Sequence, residues 1–131
     1  MSNIVLCLNE LKRPRYLHTK KDLSNLIDKI NFTNANNNIC DIVEYICRNG
    51  YVDLLEKVIN KNYDINRVNN IPLIYLAVNY NKLEVLKVLV KYGADINIEW
   101  NNENILEHSI KVKDKKILKY IFTTPEFKNL Y

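Results

Sequence analysis

From Leu83 to Val90 the apolar positions Leu83, Val85, Leu86, Leu89 and Val90 recur at spacings of three and four, the stripe of an amphipathic helix. The run Ile74, Leu76, Ala77 and Val78 predicts a shorter helix just before it, with Asn79-Tyr80-Asn81-Lys82 as the turn between the two. Leu23, Leu26, Ile27 and Ile30 place another helix over residues 22 to 30, and Asn3 to Leu11 reads as a further helical stretch. Thr124-Pro125-Glu126 carries the cap and first-turn chemistry of a new helix near the chain's last residue. With only 2 Gly and 3 Pro, few tight turns are available for a β-sandwich, so the expected fold class is all-α.

The pattern repeats. Gly50-Tyr51-Val52-Asp53-Leu54-Leu55 lies over Asn81-Lys82-Leu83-Glu84-Val85-Leu86, and Asp64-Ile65-Asn66 recurs as Asp95-Ile96-Asn97. Asp114 to Phe122 makes a weaker third copy in the place of Lys82 to Val90, which sets a period of about 32 residues. Gly93 follows Lys91-Tyr92 where a helix calls for a left-handed cap, and Asn62 fills the same slot one copy earlier. Each unit is a helix–turn–helix pair that cannot bury its apolar face alone.

Leu83-Glu84-Val85-Leu86 and Gly93-Ala94-Asp95-Ile96-Asn97 resemble the second helix and exit of the ankyrin repeat, and the resemblance covers residues 39 to 122. It implies a helix–turn–helix solenoid of about three repeats. Residues 1 to 38 then form an N-terminal helical cap or a degenerate repeat, and residues 123 to 131 a C-terminal cap. The family's Thr-Pro-Leu-His-x-Ala opening is altered here. Pro72-Leu73-Ile74-Tyr75-Leu76-Ala77 has Tyr75 where His belongs, and Asp41 to Ile46 and Asn104 to Ser109 have no proline. The links Arg67 to Ile71 and Ile98 to Glu103 are short, so stunted finger tips are expected.

A chain of 131 residues has room for one compact domain or a short stack of repeats, and 47% hydrophobic with 26% charged residues is an ordinary globular balance. The net charge of +4 is too mild to name a partner. Frequent Asn, Ile, Lys and Tyr reflect an AT-rich source. Three cysteines without tight spacing suit thiols in a reducing compartment, and the first eight residues lack the features of a secretory signal. No run approaches the ~20 apolar residues of a membrane span. The expected address is cytoplasmic, that of the host for a viral protein, with the nucleus left open by the basic segment Lys12-Arg13-Pro14-Arg15.

No nucleophile with a base, paired carboxylates, metal cluster or glycine-rich phosphate loop stands out, so no enzyme, cofactor, metal or small-molecule substrate is expected. Cys40 and Cys47 lie on one face of a helix and read as core thiols, and His108 as a surface histidine. The basic segments 12 to 21 and 111 to 119 read as solvated faces, or else as a site for nucleic acid or an anionic surface.

The ankyrin resemblance implies a protein-binding adaptor or decoy. Its variable positions fall on Tyr45, Arg48 and Asn49, on Leu76, Asn79 and Tyr80, and on His108, Lys111 and Val112 of the first helices. On the finger tips they fall on Arg67, Asn69, Asn70, Glu99, Trp100 and Asn101. Trp100 is either an interface anchor or a side chain folded back onto the neighbouring finger. The divergent array and AT-rich composition are similar to ankyrin proteins of large DNA viruses or intracellular bacteria, which implies a host protein as partner. Homodimerisation through Leu118, Ile121, Phe122 and Phe127 at the end of the stack is a further expectation.

Overall fold

The computed structural model describes residues 20–33 and 36–131. The expected helix at Asn3 to Leu11, Cys7, Lys12 to Arg15 and His18 lie outside the described residues. Among the described residues seven α-helices follow one another: α1 (Lys20–Lys29), α2 (Asn37–Arg48), α3 (Val52–Asn60), α4 (Leu73–Asn79), α5 (Leu83–Lys91), α6 (Ile105–Val112) and α7 (Lys115–Thr123). A 3₁₀-helix over Pro125–Leu130 comes after them. Among the described residues the fold is all-α apart from one isolated bridge between Trp100 and Glu103.

The helices pair as α2 with α3, α4 with α5 and α6 with α7. The first helices α2, α4 and α6 pack in succession, and α3 packs on α5. From Leu73 to Val78 every residue of α4 is buried, as expected of a helix enclosed on all sides. The second helices bury one stripe each, such as Val85, Leu86, Val88 and Leu89 of α5. Cys40 and Cys47 sit in this core as free thiols, and burial pushes Cys47 up to about 12.

Every interhelix turn needs one left-handed residue: Gly50 (φ 72), Asn81 (φ 56) and Lys113 (φ 65). Leaving the second helices, Asn62 (φ 66) and Gly93 (φ 88) do the same. Beyond them, Asp64 and Asp95 accept the backbone N–H of Asn66 and Asn97 at 2.9 Å. Asn66 Oδ1 then reaches the N–H of Asp95 at 2.7 Å and links one turn to the next.

At the amino-terminal side α1 buries Leu23 and Ile27, and Ile30 and Phe32 beyond it continue the core. Its carboxyl end is capped from α3: Lys61 donates to the carbonyls of Ile27 (2.9 Å) and Asp28 (3.0 Å). Lys57 adds contacts to Ser24 Oγ (2.8 Å) and the Asp28 carboxylate (2.7 Å). At the other side Phe127 is fully buried and meets Tyr120 edge-on at 5.8 Å.

Three expectations change. Helix α2 begins at Asn37, before residue 39, because the Asn36 side chain accepts from the Ile39 N–H and caps an extra turn. The second finger tip is a complete two-residue hairpin. Asn101 and Asn102 both take positive φ (54 and 63), and Trp100 and Glu103 exchange N–H···O bonds of 3.0 and 3.1 Å. Ile121 and Phe127 are buried within the chain, so they cannot form a dimer contact; of that group Phe122 is exposed.

The left-handed exits give a paired stability test. Gly93→Ala places a Cβ at φ 88 with no neighbour within 4 Å, so the cost is backbone strain alone, about 1 kcal/mol. Asn62→Gly removes that strain and is expected to stabilise by about 0.5 kcal/mol. Urea denaturation of both variants measures the two shifts.

Candidate partner-binding surface

The first helices α2 and α4 each hold the finger that follows their own repeat. On α2 the buried Glu44 carboxylate (8% exposed) accepts from the Asn70 N–H at 3.4 Å and Asn70 Nδ2 at 3.3 Å. Asn69 Nδ2 donates to Asp41 at 2.9 Å. On α4 the equivalent position is Tyr75. Its ring is fully buried and its hydroxyl lies 2.5 Å from the Ile98 carbonyl and 2.8 Å from that of Glu103. Burial and the nearby Glu99 and Glu103 carboxylates push the Tyr75 hydroxyl up to about 12, so it stays a donor. On α6 the equivalent Glu107 closes a capping box with Asn104 instead.

Tyr75 is also the floor of an aromatic group. Trp100 packs against it at 5.9 Å and His108 at 5.3 Å, and Trp100 meets His108 edge-on at 5.8 Å. The two ring nitrogens of His108 face oxygens on two other elements, Glu103 Oε2 at 3.3 Å and Asn79 Oδ1 at 2.5 Å. Lys111 forms an ion pair with the other Glu103 oxygen. These bonds from Lys111 and His108 hold the Glu103 carboxyl below its ordinary range against the opposing effect of desolvation.

The residues singled out from the sequence therefore separate into three groups. Arg48, Asn49, Asn79, Tyr80, Arg67, Glu99 and Lys111 are exposed. Tyr45 is half-buried beneath the Arg48 guanidinium, 6.0 Å above its ring, and Asn69 is held by Asp41 and Glu44. Leu76, expected on the inner face, is 3% exposed and belongs to the core. Its position within the repeat matches His108, but α4 packs between the first helices α2 and α6, whereas among the described residues α6 has a first-helix neighbour on one side. His108 is no ordinary surface histidine, because its side chain is 13% exposed and bonded at both nitrogens. Trp100 is half-buried and folds back onto α4 and α6, not onto the first finger.

Sequence reasoning missed Glu44, Tyr75 and Glu103. The available signal was register: Glu44 and Tyr75 stand at the place in the repeat whose side chain reaches the next finger. In the lysine-rich stretch, Lys111 is paired with Glu103, while Lys113, Lys115, Lys116 and Lys119 are exposed.

Residues 35–129 match the family model for ankyrin repeats in 3 copies. The chain belongs to the ankyrin-repeat family. A putative ankyrin repeat protein of fowlpox virus is 34% identical to it over 74 residues, which is 54% of this chain and 10% of that protein. The chain thus spans about one tenth of the length of the curated relative it matches. Ankyrin repeats generally serve as protein-interaction modules, and the family is typically non-catalytic. Among the described residues no helix is long and apolar enough to cross a membrane.

Two outcomes check the support role of this aromatic group. Tyr75→Phe leaves the Ile98 carbonyl without its hydroxyl donor, while the Glu103 carbonyl keeps the Trp100 N–H, and is expected to cost about 1–3 kcal/mol in urea denaturation. Because the folded state lowers the Glu103 pKa, its contribution is complete above the ordinary carboxylate range and is lost as pH falls through the lowered value. Thermal melts across the acid range show this dependence reduced in Glu103→Gln.

Proposed function

We propose that this ankyrin-repeat chain is a non-catalytic adaptor that holds one protein partner along its first-helix ends and finger tips. One observation carries the reading. Arg48, Asn49, Asn79, Tyr80 and Arg67 are exposed on a frame whose turns, caps and fingers are internally bonded, so these side chains are presented by a surface that is already ordered. Binding then costs little backbone ordering.

Among the described residues the buried thiols, His108 and Ser109 are occupied with structural work, which supports the non-catalytic part. The Cys40 and Cys47 thiols are buried, His108 is bonded at both ring nitrogens, and the Ser109 hydroxyl donates to the Ile105 carbonyl at 2.7 Å. The reading extends to a viral or intracellular-pathogen protein that engages a host protein in the host cytoplasm. The fowlpox likeness and the AT-rich composition support that extension.

The test is an affinity pull-down from host-cell lysate with the wild type beside an Arg48→Ala, Tyr80→Ala double variant. Both positions are exposed and outside the core, so circular dichroism and melting are expected to agree within about 0.5 kcal/mol. A protein retained by the wild type and lost by the variant is the expected result, since removing an interface hot spot costs about 2–4 kcal/mol. Equal retention by both forms, or recovery of only nuclease-sensitive, salt-labile material, overturns the reading.

A further inference from the structure

The last helix pair leaves open a side that the earlier pairs have covered. Cys47 of α2, Val78 of α4 and Ile110 of α6 hold one position in the repeat; the first two are fully buried, and Ile110 is 52% exposed. In the second helices Leu55 and Leu86 are fully buried, while Leu118 of α7, at the same position, is half-buried. Ile59 and Val90 are half-buried, and Phe122 in their place is 50% exposed. Among the described residues α4 has a first helix on each side and α6 on one, so these side chains lack the cover that their counterparts have. Tyr131 rests on Phe122 at 5.3 Å and donates to its carbonyl at 3.4 Å, yet Tyr131 is itself exposed.

Charge on the second helices also turns over along the stack. One position in the repeat is Asp53, Glu84 and Lys116 in turn, and another is Glu56, Lys87 and Lys119. A third passes from Val52 and Leu83 to Lys115. Helix α7 therefore has three lysines and no carboxylate. The acids before it are turned to backbone groups: Glu107 closes a capping box, and Asp114 accepts the N–H groups of Lys116 and Ile117. The 3₁₀-helix beyond it carries one charge of each sign, Glu126 and Lys128.

Lys115, Lys116 and Lys119 are exposed and in no ion pair among the described residues. Helix stability does not call for the first two, because a cation in the first turn opposes the helix dipole. Lys115, Leu118, Lys119 and Phe122 follow one another at spacings of three and four, a single stripe of α7 about 10 Å long. Ile117 and Ile121 form another stripe, which is buried.

We infer that this end face is a second docking surface, apart from the first-helix ends and finger tips. Its occupant is an α-helix of a protein partner, with an apolar stripe flanked by acidic residues. The helical form follows from the repeat, since the counterpart of Ile110 lies on α4, a helix that is packed on its far side by another helix, α6. The acidic flanks follow from Lys115 and Lys119, which alternate with Leu118 and Phe122 along the stripe. A second copy of the chain would bring two faces of the same positive sign together. An anionic bilayer would answer the lysines but has no counterpart in the repeat.

Fluorescence anisotropy is read with fluorescein-labelled Ser-Glu-Leu-Glu-Ala-Leu-Leu-Glu-Ala-Leu-Glu-Glu-Leu-Leu, with the same peptide carrying Lys for every Glu, and with a shuffled peptide that lacks the stripe. The full chain is compared with an Ile110→Ser, Phe122→Ser variant and a Lys115→Glu, Lys119→Glu variant. All four positions are exposed, so both variants are expected to unfold at the wild-type urea midpoint. The expected result is binding of the acidic striped peptide that weakens about tenfold in each variant, and with added salt. The Arg48→Ala, Tyr80→Ala variant is expected to bind it as the wild type does, which separates this face from the adaptor surface.

No binding of that peptide, equal binding of either control, unchanged binding by either end-face variant, or loss of binding in the Arg48→Ala, Tyr80→Ala variant overturns the inference. So does co-sedimentation with phosphatidylserine vesicles that Lys115→Glu, Lys119→Glu abolishes, which assigns the face to a bilayer. A doubled mass in sedimentation that Ile110→Ser, Phe122→Ser reverts assigns it to a second copy and overturns the inference too.

Discussion

None of the helices can stand by itself. Leu73–Asn79 has seven residues and its neighbours have eight to twelve, while an isolated helix in water becomes stable only at about 12–15. Stability therefore comes from burying each helix pair against the next, and the distance between pairs has to be kept. That requirement explains why left-handed residues recur at Gly50, Asn81 and Lys113, whatever their side chains. It also explains the fingers, which are fastened to the first helices by a carboxylate in one repeat and a phenol in the next. Chemistry differs between the two fastenings, but reach and direction are kept.

The same constraint sorts the charges. Most carboxylates act locally: Asp64 and Asp95 close turns, Asp114 and Glu107 cap helices, Glu44 and Glu103 hold fingers, and Asp28 and Asp53 tie α1 to α3. A carboxylate accepts backbone N–H groups, so acids are drawn to turns and helix starts. Lysine cannot perform that task; Lys57 and Lys61 instead cap the carboxyl end of α1, and most others face outward. The excess of +4 is carried mainly by exposed lysines. The interhelix edge carries both signs, with Asp53, Glu84 and Asp114 just past its turns, and the finger edge carries Asp64, Asp95 and Glu99.

Much of the frame was legible in the sequence. The apolar stripe of Leu83 to Val90 and the paired exits at Asn62 and Gly93 depend on neighbours three or four residues away, and local physics reads such neighbours well. Leu76, Trp100 and His108 were misjudged or left open because their surroundings come from elements more than twenty residues distant. His108 is bonded to Asn79 across 29 positions, and Tyr75 reaches Ile98 across 23. Equivalent places in a repeat share backbone geometry but not exposure, since Leu76 lies between two neighbouring helices and His108 at the edge of the last pair. Asn101 and Asn102 were legible in principle, as two consecutive residues that tolerate positive φ, but the expectation of a shortened finger concealed the hairpin.

Trp100 shows how support and recognition divide the work. An indole in an Asn-rich loop invites a reading as an exposed anchor, yet here it rests on Tyr75 and His108, where the aromatic contact fixes the second finger. A fixed finger keeps Glu103 beside Lys111 and His108, and His108 in turn holds Asn79 next to Tyr80. The surface offered to a partner is thus ordered by groups beneath it that touch no partner. Removing one of them would disturb recognition by raising the ordering cost of binding, whereas removing Tyr80 or Arg48 would subtract contacts from a frame that stays intact.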